Sequence, residues 1–107
     1  MSALQEIRLK PCRELTVFDV YQIEVAEALN SIRREANFYK KHGSNAGTRG
    51  LMSYLYGQLF GVTHAFSTLL IFQSRDFKEA DEIRQAALNE AQFLTGPYLA
   101  GITGVSA

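Results

Sequence analysis

The chain has a single cysteine, Cys12, in 107 residues. That excludes an internal disulfide and a cysteine-rich zinc cage. Cys12 reads as a small structural side chain, since no cationic or helix-N-terminal setting marks it as a reactive thiol. An excess of charge is also missing. Eleven Lys and Arg balance eleven Asp and Glu, which leaves no electrostatic case for binding nucleic acid. The opening residues, MSALQEIRLKPCRELT, lack the apolar core of a signal peptide, so a cytoplasmic protein is expected. There is no glycine-rich phosphate loop after a strand and no nucleophile elbow. His-x-x-x-His spacing is absent too, so no metal site, cofactor or catalytic residue is predicted.

The most informative scarcity is local. Residues 51–72, LMSYLYGQLFGVTHAFSTLLIF, contain no Asp, Glu, Lys or Arg. Twenty-two helical residues span roughly 33 Å at 1.5 Å per residue, enough for a bilayer core. Gln58 and His64 near the middle, with Ser53, Thr63, Ser67 and Thr68 around them, lower the hydropathy. The flanking helices are amphipathic and each needs an apolar partner surface. Basic residues precede the segment, but Arg75 and Lys78 follow it, so orientation bias is weak. A buried helix is the better reading, and membrane association is not expected.

The remaining chain supplies those amphipathic partners. Phe18, Tyr21, Val25, Leu29, Ile32, Ala36 and Tyr39 recur at steps of three and four, which is one face of a helix. Thr16 with Asp19 forms a capping box in which Asp stands in for the usual Glu. Lys40, Lys41 and His42 suit the negative end of the helix dipole, and Gly43 supplies a stop. The spacing predicts a helix over 17–42. The loop GSNAGTRG reverses the chain, and a second helix is predicted over 49–73. Ser74 and Asp76 are alternative caps for a third helix over 76–95, with Phe77, Ala80, Ile83, Ala87, Leu88, Ala91 and Leu94 on its apolar side. Thr95-Gly96-Pro97 should end that helix, because proline cannot continue one. The predicted fold is all-α: a single domain of three main antiparallel helices, completed by dimerisation. Residues 1–15 are read as an extended N-terminal arm, with Pro11 ending any regular structure. Residues 96–107 are read as a loosely ordered tail with one short turn near Tyr98–Ile102.

The second helix has two unlike faces. Leu51, Met52, Leu55, Leu59, Val62, Phe66, Leu69 and Leu70 fall in one aliphatic arc for the neighbouring helices. Ser53, Gly57, Gly61 and Ala65 form a stripe on the other side. Two glycines one turn apart, each about 1 kcal/mol unfavourable in a helix, point to a close backbone approach. The approaching body is a helix of the same protomer, a ligand, or another copy of the same helix. Tyr54, Tyr56, Phe60, Ile71 and Phe72 lie outside the aliphatic arc, and a chain this short has little else to cover them. A two-fold homodimer is the commonest remedy, with Ser53, Gly57, Phe60, Gly61 and Ala65 as its interface.

Two functional readings follow. The first is a non-enzymatic regulatory or adaptor protein that acts as a homodimer and binds another protein. The second is a ligand-binding or hydrolytic pocket around His64, with Tyr54, Gln58 and a carboxylate from another helix. Helix two has no carboxylate to orient an imidazole as a base. Glu24-x-x-Glu27 and Glu79-x-x-Glu82 resemble the magnesium-holding pairs of all-α nucleotide pyrophosphohydrolases. Both fall on polar faces and the expected second motif is missing, so they read as solvated surface charge.

Overall fold

The computed structural model describes residues 3–11, 14–73 and 77–99. Among them the chain forms four helices and no strand: α1 (Ala3–Arg8), α2 (Val17–His42), α3 (Thr48–Gln73) and α4 (Phe77–Leu99). The three long helices all pack against one another, and α1 packs on α2. Cys12, Ser74, Asp76 and the tail beyond Leu99 lie outside the described residues.

Helix α2 begins at the expected capping box. The Asp19 N–H donates to Thr16 Oγ1 at 3.0 Å, and the Thr16 N–H donates back to Asp19 Oδ2 at 3.1 Å. Lys10 Nζ donates to the same oxygen at 3.1 Å, tying the segment after α1 to the start of α2. The Thr16 amide, and then Lys10, hold the Asp19 carboxyl below its ordinary range, against the opposing effect of burial. Thr16→Ala should lower stability by about 1 kcal/mol in chemical denaturation. A change within error would mean that the box contributes nothing. At the other end Gly43 adopts φ 81°, and its N–H donates to the Tyr39 carbonyl at 2.8 Å.

The core runs through the bundle axis. Tyr21, Val25, Leu29, Ile32, Ala36 and Tyr39 of α2 meet Met52, Leu55 and Leu59 of α3 and Ala80, Ala87, Leu88 and Ala91 of α4. Two contacts join the non-consecutive helices α2 and α4 through polar atoms. Tyr21 Oη donates to the Ala80 carbonyl at 2.9 Å. Arg33 grips Glu90 with two donors, one of them Nη2 to Oε1 at 2.7 Å. This pair is partly solvated, so its contribution is on the order of 1 kcal/mol or less.

Three expectations need correction. The N-terminal arm is not simply extended, because residues 3–8 make a short helix whose Ile7 is buried. Arg8 reaches Glu27 at 3.3 Å beside it. Helix α4 does not stop at Thr95 but passes through Pro97 to Leu99. Proline removes one amide donor there, while Leu99 is buried and Tyr98 packs against Tyr39 with ring centroids 5.8 Å apart. Those contacts hold the last turn in place. The aliphatic arc of α3 is narrower than its spacing implied, since Leu51 and Leu69 at its edges are exposed. Among the described residues, no helix is long and apolar enough to cross a membrane.

Candidate interaction face

Helix α3 turns Met52, Leu55, Leu59 and Thr63 inward, and all four are buried. Its packing against α2 and α4 extends to half-buried Tyr56, Val62 and Phe66, and Tyr56, expected outside the packed arc, accepts a hydrogen bond from Gln92 Nε2 of α4 at 3.1 Å. The candidate interface and pocket residues lie on the outer side: Ser53, Tyr54, Gly57, Gln58, Phe60, Gly61, His64 and Ala65 are all exposed. The periodicity of α3 produces this division. Positions three or four residues from Leu59 return to the core, and those between them face out.

The outer face carries large apolar groups. Tyr54 is 61% exposed and Phe60 52%, while Leu51 and Leu69 are exposed on the opposite flank of the helix from Phe60. The rings are locally ordered. Gln58 Nε2 donates to Tyr54 Oη at 2.9 Å, and the His64 imidazole lies parallel to Phe60 at 3°, with centroids 6.4 Å apart. The members of each pair are one helical turn apart, the spacing at which side chains meet on a helix surface.

The glycines are decided by the same geometry. A Cβ at Gly57 or Gly61 would meet nothing within 4 Å. Among the described residues, no helix of the same protomer approaches their backbone, and nothing covers the face at that point.

Of the residues proposed for a pocket, Gln58 borders a shallow groove of about 260 Å³ between α2 and α3, with Glu24, Glu27, Ala28, Ser31 and Val62. Neither Tyr54 nor His64 lines that groove. Among the described residues, no carboxylate is hydrogen-bonded to His64, and no group of three or more His, Cys, Asp or Glu residues is placed to hold a metal ion. Glu24, Glu27, Glu79 and Glu82 are all exposed, as their positions on polar faces require. The basic end of α2 is partly neutralised: Arg33 is held by Glu90, while Lys40 and Lys41 remain in solvent.

One exposed aromatic gave no warning in the sequence. Phe93 is 81% exposed and borders a groove between α2 and α4 with Lys40, Asn37 and Pro97. It stands alone on the polar side of α4, where no apolar periodicity marks it.

No protein-family model, curated protein or solved structure matches this chain.

Proposed function

We propose that the protein is a non-enzymatic helical interaction module, a small regulator or adaptor that pairs with itself through α3 and, as the pair, binds another protein. The observation that carries this reading is the outer face of α3. It belongs to a segment without a charged residue from Leu51 to Phe72. It holds exposed Tyr54 and Phe60, and has bare backbone at Gly57 and Gly61.

The magnitudes favour a modest dimer. The exposed parts of Tyr54 and Phe60 amount to roughly 230 Å² of side chain per copy, taking about 200 Å² for a whole aromatic. Two such faces at about 25 cal/mol per Å² give roughly 11 kcal/mol before losses. Association and side-chain ordering remove about 4–15 kcal/mol. What is left is at most about 7 kcal/mol, which corresponds to a dissociation constant of about 10 µM or weaker. A second copy is the simplest occupant, because a surface without charge of either sign meets its own image without repulsion.

The test is Gly61→Leu. In the isolated protomer the new side chain enters open space, and leaving glycine behind should raise stability by about 0.8 kcal/mol. In the dimer it overpacks a close crossing, at about 1–3 kcal/mol, which weakens association roughly tenfold or more. Sedimentation equilibrium should therefore record a lower mass for a chain that melts no earlier than the wild type. An unchanged mass would remove α3 from the interface.

A further inference from the structure

Resting on the dimer reading above, we infer that the two copies of α3 cross antiparallel about Leu59, so that each Tyr54 shares a layer with the partner's His64. Six exposed residues define the seam: Gly50, Tyr54, Gly57, Gly61, His64 and Thr68. Their spacing alternates four and three without interruption, the pattern of helices crossing at about 20° with interlocking side chains. In an antiparallel seam of this kind, residues equally far from the midpoint fall in the same layer. Gly57 then lies level with the partner's Gly61, Tyr54 with the partner's His64, and Gly50 with the partner's Thr68. The centre is bare backbone on both copies, which permits close approach, and the rings fill the layers on either side.

Charge favours this direction over the parallel one. Lys40, Lys41 and Arg49 lie at the end of the bundle where α3 begins, and Glu79, Asp81 and Glu82 outnumber Lys78 and Arg84 at the other end. A parallel pair sets the two basic ends side by side. The antiparallel pair sets basic against acidic and also opposes the two helix dipoles. The Tyr54–His64 layer is chemically matched as well. Tyr54 Oη already accepts a hydrogen bond from Gln58, and among the described residues nothing accepts its own proton. A neutral imidazole has one ring nitrogen free to accept it. Parallel layers would instead stack tyrosine on tyrosine and histidine on histidine.

The register is read by cross-linking. In a Cys12→Ser background, chains carrying Tyr54→Cys are mixed with chains carrying His64→Cys and oxidised. Both substitutions sit at exposed positions, so folding is preserved. The mixed-chain disulfide should exceed either self-linked product several-fold, because the layer brings the two sites within disulfide reach. In the antiparallel register the two copies of position 54 stand about 15 Å apart along the axis, too far to link. Efficient self-linking of Tyr54→Cys would overturn the inference in favour of a parallel crossing. Sedimentation equilibrium on the unmodified chain separates the two levels of failure. A monomer at every concentration overturns the dimer itself, whereas a dimer without the mixed link overturns only the register.

Discussion

Leu59→Ala should destabilise the protein by about 3–4 kcal/mol, measured as a fall in the urea midpoint at unchanged slope. Leu59 is fully buried, 0% exposed, at the centre of the α3 inner face. Shortening it removes apolar contact with α2 and α4 and leaves a cavity that the surrounding helices only partly close. A domain of this size has a total stability of about 5–15 kcal/mol, so the loss takes up a large share of it. The adjacent residue provides the contrast. Phe60→Ala deletes a larger side chain, but one that is half in solvent, and the protomer should lose less than about 1 kcal/mol. In the proposed dimer its effect would fall on association and should appear as reduced mass. If Leu59→Ala cost less than Phe60→Ala in the protomer, the assignment of the two faces would be reversed.

Alkaline pH should destabilise the fold through Tyr21. Burial pushes its hydroxyl up to about 12, with Arg84 opposing and Asp81 adding to the effect. Unfolded tyrosine titrates near 10. Below about pH 10 both states keep the proton, and the contribution of the buried neutral phenol is fully present. Between about 10 and 12 the unfolded chain releases its proton while the folded one holds it, so stability falls as pH rises. The accumulated loss is roughly 2–3 kcal/mol across that window. Urea midpoints at about pH 9 and about pH 11.5 read it directly. Tyr21→Phe should flatten much of the slope while costing about 1 kcal/mol at neutral pH, where the Ala80 carbonyl loses its side-chain donor. An unaltered slope in that variant would place the alkaline sensitivity elsewhere.

The long helices were legible because several local signals agreed at each. For α2 the capping box, the seven-residue apolar stripe from Phe18 to Tyr39 and the stop at Gly43 all specified one segment, Val17–His42. For α3 the start and end followed from the glycine loop and the end of the apolar run. What failed was decided by tertiary contact. Proline at 97 is a sound local stop signal, yet Tyr98 on Tyr39 and the burial of Leu99 carry α4 past it. Helix α1 has only six residues, too short for periodicity to register, and depends on Ile7 and its links to α2. The outer face of α3 was legible as a set, since 100° per residue separates its stripe from Leu59. Its limits were not, because spacing alone does not fix how far α2 and α4 wrap around it. Leu51 and Leu69 fell just beyond that edge.

The order of helices along the chain also bears on how quickly the fold is reached. Helix α3 lies between α2 and α4 in sequence and packs against both in space. Most of its core contacts therefore close short stretches of chain, and the entropy of closure grows only slowly with loop length. The distant closures are those that draw α4 onto α2: Tyr21 to Ala80, Arg33 to Glu90 and Tyr39 to Tyr98. Such a topology has low contact order, which places it among rapidly folding helical domains. An α2–α3 hairpin formed early would already display the face of Tyr54, Phe60 and His64. A nascent chain would then meet its own copies before α4 had docked, so rapid closure of α4 over the inner side limits how long both faces of α3 are open together.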